Sequence, residues 1–178
     1  DVVFGDWSSD VCSSDLGCIL AMNLIELISH LRQPMLRLRT GLWLVPDYLL
    51  GKEEDYVLTL PVGCDVIDLR LAVINLRPPS APYAAITPEN IHAWLDQILE
   101  NDVRHDVAVF TQLDLLLAAL GANDRQAVWR TLSNSFVHRP KAIIFAIPQH
   151  SAGQIISPSE IQAWQQNNRL ASNQPTTI

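Results

Sequence analysis

Apolar residues recur at two different spacings in the first part of the chain. Between residues 23 and 31 they fall three and four apart, which predicts an amphipathic helix. Asn23 begins this pattern and Glu26 follows three residues later, so the two can form a capping box, and Pro34 ends the helix. Three short apolar runs then predict strands at 42–46, 56–60 and 66–70. The proline-rich stretch 77–82 predicts a loop.

Helices and buried strands alternate in the second half of the chain. Residues 106–110 and 142–147 are almost continuously apolar, which is typical of strands that are covered on both faces. Capping residues or helical patterns predict helices that begin near Thr87, Leu113, Asn123 and Ser157. The resulting order is helix, strand, helix, helix, strand, helix. This alternation predicts an α/β fold of three layers with a mostly parallel sheet.

The two apolar strands, 106–110 and 142–147, are expected to lie side by side and parallel, because about 30 residues with helical patterns connect them. That arrangement brings the residues that follow each strand to one carboxyl edge of the sheet. Ligands of open α/β sheets bind at this edge. The residues concerned are uncharged except Asp114, and they are Thr111, Gln112, Asp114, Pro148 and Gln149.

The composition narrows the class of protein. Of 178 residues, 48% are hydrophobic and the mean hydropathy is positive, which favours a folded domain over a disordered chain. The net charge of −7 argues against a broad nucleic-acid surface, and the only dense basic cluster, Arg32, Arg37 and Arg39, is interpreted as a solvated helix edge. Three cysteines without a CxxC pair give no disulfide framework, and no apolar run reaches about 18 residues. A cytoplasmic protein is expected.

Residues 6–16 have a different character from the rest of the chain. They hold four serines and three aspartates without helical or strand spacing, and they resemble one reading frame of a sequencing adapter. We therefore interpret 1–21 as a non-native leader and Met22 as the native start. Residues 22–171 are predicted to form a single domain, and 172–178 a disordered tail. Because 1–21 contain four acidic and no basic residues, the net charge of 22–178 is −3.

Asp114 is the candidate ligand-binding residue, because an apolar strand leads into it and a second apolar strand follows. This pair of strands resembles the second half of a P-loop nucleotide-binding enzyme of the additional-strand type, in which such an acid would help to hold Mg²⁺. The chain lacks the phosphate-binding loop, G-x-x-x-x-G-K-[ST]. Gly51-Lys52 is followed by Glu53-Glu54, which would repel a phosphate. The alternative role for Asp114 is an acid that stabilises the start of a helix.

The segment from Met22 to about Ala171 is also similar to small P-loop-like accessory components of BREX-type phage-defence systems. The similarity lies in 113–120, 125–129, 139–140, 146–148 and 164–170. It implies a non-catalytic accessory or scaffold role in a complex with larger protein partners, without a cofactor. Trp164 and Arg169, near the end of this segment, are then the candidate partner-binding residues.

Two other functions remain as alternatives. A degenerate nucleotide-binding protein would need a partner to complete its site, and a metal-dependent nuclease would use Asp65, Asp68 or Asp114 as metal ligands. The five histidines show no spacing that is typical of metal sites. Asp65 and Asp68 would point to opposite faces of a regular strand. We therefore predict no enzymatic activity. From the composition we also predict no membrane contact and no direct nucleic-acid binding.

Deletion of residues 1–21 tests the interpretation of the leader. A polar segment without periodicity buries little surface, so the free energy of unfolding should change by less than about 0.5 kcal/mol. Matched urea melts of the full chain and of 22–178 measure the difference. A loss of several kcal/mol would show that the leader belongs to the folded domain.

Overall fold

A computed structural model describes residues 22–78, 80, 83–136 and 139–172, and helices alternate with strands along most of this range. A 3-10 turn occupies Asp47–Leu49 and a π-helical turn occupies Thr131–Ser135. The strands are β1 Thr40–Val45, β2 Asp65–Asp68, β3 Val107–Thr111, β4 Ala142–Pro148 and β5 Leu170–Ser172. The helices are α1 Leu24–Leu31, α2 Glu53–Thr59, α3 Leu69–Leu76, α4 Pro88–Asn101, α5 Leu113–Ala118, α6 Ala122–Arg130, α7 Gln149–Ile155 and α8 Pro158–Gln166.

The five strands form one sheet in the order β2-β3-β4-β1-β5, and every pairing is parallel. The predicted pair is confirmed, because β3 and β4 are neighbours with Val107 opposite Ala142 and Phe110 opposite Phe145. β4 lies between β3 and β1 although it follows both in the chain. All the strands therefore end at the same edge, and the residues that follow them share that edge.

Two apolar clusters cover the two faces of the sheet and confirm the three-layer α/β class. Alternate residues of each central strand enter different clusters, as Phe110 and Val109 of β3 do. Helices α3 to α8 contribute to one cluster, and α1 and α2 contribute to the other. Because both faces of β3 and β4 are buried, these strands show no polar alternation in sequence.

The predicted helix starts agree with the structure where a capping pair is present. The side chain of Asn23 accepts from the Glu26 N–H while the Glu26 carboxylate accepts from the Asn23 N–H, each at 2.9 Å. Ser157 and Glu160 form the same reciprocal pair at the start of α8. Thr87 caps α4 ahead of Pro88. Reciprocal caps satisfy amides that a helix start would otherwise leave unpaired, so they mark these positions strongly.

Several predicted elements were wrong or incomplete. Residues 56–60 were predicted as a strand but form most of α2, because three acids in its first turn favour a helix start. The strand predicted at 66–70 ends at Asp68, whose carboxylate caps α3. Helices α3 and α7 and strand β5 were not predicted. Ser172, predicted as the first residue of the tail, is the last residue of β5, whereas 1–21 and 173–178 lie outside the described residues.

A buried arginine joins the π-helical turn to β1. Arg169 is 4% exposed and lies over the ring of Trp164. Its Nη2 donates to the Ser133 carbonyl at 2.6 Å, and its Nη1 donates to the Thr40 hydroxyl at 3.0 Å. Burial lowers the pKa of Arg169 to about 10, so the guanidinium remains charged at neutral pH. The cation satisfies a carbonyl at the end of a helix, where positive charge is favourable.

Replacement of Arg169 tests this internal role. Arg169→Met leaves buried oxygen atoms of Ser133 and Thr40 without their donors, and we expect it to lower the free energy of unfolding by about 2–4 kcal/mol. Urea melts at pH 7 measure the loss. Arg130→Met, at an exposed position, is the matched control and should change stability by less than about 0.5 kcal/mol. Equal effects of the two variants would contradict the assigned role.

Candidate functional site

The carboxyl edge of the sheet brings together the residues that sequence analysis assigned to it. Thr111 ends β3 and Pro148 ends β4, and these strands are neighbours. Gln112 joins β3 to α5 in a left-handed conformation with φ 63°. This single residue turns the chain directly into α5, so Asp114 stays at the edge. Gln149 likewise begins α7 immediately after β4. The predicted edge is therefore assembled.

The segment that follows β1 lies where a phosphate-binding loop would lie in such a sheet. Pro46 leaves β1, and Gly51 and Lys52 immediately precede α2. Gly51 has a φ of 71°, a conformation that glycine adopts readily. Pro46 stands where the loop pattern has its first glycine, and Glu53 stands where it has serine or threonine. Sequence analysis missed this placement because it predicted a strand at 56–60.

The amides of this segment bond within the segment. The Leu49 N–H donates to the Pro46 carbonyl at 2.9 Å, the Leu50 N–H to the Asp47 carbonyl at 3.2 Å, and the Lys52 N–H to the Leu49 carbonyl at 2.9 Å. A phosphate loop instead directs successive amides at the anion. Three amides that such a loop would use are therefore paired in a 3-10 turn and in the turn that follows it.

The charges at this edge are mostly negative. A cavity of about 230 Å³ is lined in part by Lys52 and by the carboxylate residues Glu53, Glu54, Asp55 and Asp68. The Asp68 side chain already accepts from the Leu71 N–H at 3.1 Å and from the Arg70 guanidinium at 3.3 Å. Within the described residues, no group of three or more His, Cys, Asp or Glu could hold a metal ion. The remaining lining residues are Gly51, Val66, Thr111 and Gln112.

Asp114 is the second residue of α5 and is half-buried. Burial raises the pKa of its carboxyl above the usual value. The N–H groups of Asp114 and Leu115 lower it, Glu53 raises it and His150 lowers it. The carboxylate thus accepts at a helix start and lies close enough to Glu53 to feel a like charge. Because burial outweighs the hydrogen bonds at the helix start, the pKa stays raised and the negative charge of Asp114 is unfavourable at this position.

Of the three acids named for the nuclease alternative, Asp65 lies at the amino edge of the sheet, whereas Asp68 and Asp114 lie at the carboxyl edge. Asp65, at the start of β2, accepts from the backbone N–H groups of Arg104 and His105 at 2.7 and 2.6 Å, and contacts the His105 ring at 2.9 Å. Burial raises the pKa of Asp65, but these hydrogen bonds outweigh it and the pKa lies below the usual value. Asp68 caps α3 at the other end, about 10 Å along the strand. They do not form one metal site.

The two residues predicted to bind a partner lie inside the domain. Trp164 is fully buried, with its ring edge-on to that of Trp129. Arg169 lies beside it and donates to internal oxygen atoms. Neither side chain is available to a partner in this structure. Any contact surface must therefore be formed by exposed residues.

A larger cavity, of about 340 Å³, lies at the opposite, amino edge of the sheet. Arg139 and Asp96, which line it, form a bidentate ion pair with both distances at 2.7 Å. Lys141, also in the lining, donates to the carbonyls of Leu99 and Val103 at the end of α4. These charged groups hold α4 against the start of β4. We therefore place the candidate site at the carboxyl edge, despite its smaller cavity.

Comparison with known proteins gives no relative from which to transfer a function. No family model, no curated protein and no solved structure matches this chain. Among the described residues, no helix has the length and apolar character that crossing a membrane requires.

Removal of the Asp114 charge tests the electrostatics of this edge. The pKa of Asp114 in the folded protein is raised, so the carboxylate is less favourable there than in the unfolded chain. Asp114→Asn should therefore stabilise the protein by a few tenths of a kcal/mol at pH 7, and the gain should disappear near pH 3, where both states are protonated. Urea melts at both pH values measure it, with exposed Asp47→Asn as the control. A loss of stability at pH 7 would contradict the prediction.

Proposed function

We propose that this chain is a non-catalytic accessory subunit that binds a protein partner in the cytoplasm and does not bind nucleotide by itself. The observation that carries the proposal is the segment between β1 and α2, whose amides bond internally where a phosphate would need them. The similarity of 22–171 to accessory components of BREX-type systems supports a bacterial phage-defence complex as the setting. The similarity is the basis for proposing a phage-defence complex, and the hydrogen bonding of residues 46–52 is the basis for proposing that the chain does not bind phosphate.

The charges at the edge support the same proposal. Glu53, Glu54 and Asp55 occupy the first turn of α2, where an anion would otherwise be favoured. Only Lys52 opposes them in the lining of the cavity. A triphosphate brought to this edge would meet several carboxylates, and like charges in a partly enclosed site repel strongly. Geometry and charge therefore oppose phosphate binding independently.

The second candidate is a degenerate nucleotide-binding protein that a partner completes. β4 lies between β3 and β1, so the segments that follow β1 and β3 flank the end of β4 at the carboxyl edge. Gly51 keeps the left-handed conformation, and Lys52 lies at the start of the helix that follows β1. This candidate needs a partner to provide cations that offset the acids. The nuclease alternative has no comparable support, since Asp65 lies at the opposite edge from Asp68 and Asp114, and no group of three or more His, Cys, Asp or Glu among the described residues could hold a metal ion.

Titration calorimetry with Mg-ATP separates the first two candidates. We expect no saturable binding by the isolated chain up to about millimolar nucleotide, a range in which even weak sites with a binding free energy near −4 kcal/mol would be detected. Lys52→Ala is the matched control. A heat of binding that this variant still gives does not come from nucleotide bound at the segment between β1 and α2. Saturable binding at micromolar strength that Lys52→Ala abolishes would overturn the proposal in favour of a nucleotide-binding protein.

A second variant distinguishes geometry from charge. Glu53→Thr restores the hydroxyl that a phosphate loop uses and removes one acid, but the amides of Leu49, Leu50 and Lys52 stay paired. We therefore expect Glu53→Thr to remain unable to bind Mg-ATP in the same titration. Binding by this variant would show that charge alone blocks the site, and that the segment can rearrange to accept a phosphate.

A further inference from the structure

Exposed apolar side chains follow three of the strands at the carboxyl edge. Tyr48 lies three residues after β1, Leu71 three residues after β2, and Leu115 four residues after β3. Their exposed fractions are 61%, 51% and 47%. Large apolar side chains that are exposed singly need no explanation, and what these three share is their place after strands at the same edge of the sheet. We call these three residues the carboxyl-edge row.

The strand order fixes how the row is arranged. Along the sheet from β2 to β1, Leu71 comes first, Leu115 second and Tyr48 last. Neighbouring strands lie about 4.8 Å apart, so the strand ends from β2 to β1 span about 14 Å. Asp114 immediately precedes Leu115 and Asp47 immediately precedes Tyr48, whereas Arg70 immediately precedes Leu71, so two acids and one base accompany the apolar residues. The row is therefore suited to a segment that carries both apolar and basic side chains.

A segment with that chemistry is present at the opposite edge of the same chain. Residues 33–38, which we call the amino-edge loop, lie between α1 and the start of β1. Met35 is 92% exposed, and Arg37 is exposed two residues later. Arg39 follows the loop and donates to the backbone carbonyls of Leu31 and Pro140, and its positive charge also helps to lower the pKa of Asp106. The loop therefore combines the exposed apolar side chain of Met35 with the basic side chain of Arg37.

We propose that this chain associates head to tail with a second copy of itself, so that the amino-edge loop of one copy contacts the carboxyl-edge row of the next. The two surfaces lie at opposite edges of one parallel sheet, so a single copy cannot satisfy both internally. Opposite charge and exposed apolar groups on the two surfaces provide the complementarity. The association is heterologous, so each dimer keeps one unoccupied surface of each kind and can add further copies.

The size of the two surfaces sets the expected strength. The anchors on one side are chiefly Met35 and Arg37, and the row on the other side spans only about 14 Å. Such an interface is small, so the association should be weak and dependent on protein concentration. Because exposed charges contribute to it, added salt should weaken it. This inference does not rest on the absence of nucleotide binding.

Sedimentation velocity of the full chain tests the association directly. We expect the weight-average mass to rise above that of the monomer as protein concentration increases from about 10 μM to about 1 mM in about 50 mM NaCl, and to fall in about 500 mM NaCl. Chain that stays monomeric over this whole range would overturn the proposal. A monomeric result would overturn the proposal even if the carboxyl-edge row bound some other basic protein.

Two variants assign the two surfaces. The loop variant carries Met35→Ser and Arg37→Ser, and the row variant carries Leu71→Lys and Leu115→Lys. Each should weaken self-association at least about tenfold, the change that about 1.4 kcal/mol produces. Ile25→Lys is the matched control, since Ile25 is also exposed but lies on α1, which covers the other face of the sheet from α3 and α5. It should associate like the unchanged protein.

A mixture of the two variants distinguishes head-to-tail association from a symmetric dimer. The loop variant retains an intact row and the row variant retains an intact loop, so the mixture should form heterodimers that stop at two copies. Circular dichroism verifies that each variant is folded, and Tyr48→Lys replaces the row variant if that one unfolds. A mixture that stays monomeric, or association of the loop variant alone at unchanged strength, would overturn the proposal.

Discussion

The burial of β4 on both faces and along both edges is the constraint on which the rest of this fold depends. β4 pairs with β3 on one side and with β1 on the other, and its side chains enter both apolar clusters. A one-residue slip of β4 would exchange its side chains between the two apolar clusters and draw Lys141 or Gln149, the polar residues that flank it, into the sheet. The ends of β1, β3 and β4 are thereby held in fixed positions. The pairing of β4 with β3 and β1 therefore sets the positions of the residues at the carboxyl edge.

Sequence reasoning succeeded where a physical signal is local or continuous. The unbroken apolar runs at 106–110 and 142–147 predicted two buried parallel strands, and the reciprocal caps at Asn23 and Ser157 predicted two helix starts. It failed at 56–60, where apolar residues occur at a density that fits a strand, and only the preceding acids indicate a helix. β5 has three residues and depends on pairing with β1, so its own sequence carries no sufficient signal.

The position of the candidate site could be predicted from the sequence, but its hydrogen bonds could not. The sheet edge followed from the order of strands, and Asp114 was placed there correctly. The internal hydrogen bonds of 46–52 could not be derived, because the same residues would permit a turn or an open loop. Trp164 and Arg169 were predicted to bind a partner, but both side chains are buried. A tryptophan near a chain end suggests a contact surface, yet here it fills the core beside a cation that satisfies a helix carbonyl.

Arg169 immediately precedes β5, and its position bears on how the domain opens locally. If β5 left the sheet, the guanidinium would move from a buried site into water, where its hydration is most favourable. The Ser133 carbonyl and the Thr40 hydroxyl would gain water in the same step. Part of the lost contact energy would thus be recovered, so partial unfolding from this end of the sheet should cost less free energy than unfolding from β3 or β4. Slow amide exchange should accordingly concentrate at the centre of the sheet and fade toward its last strand.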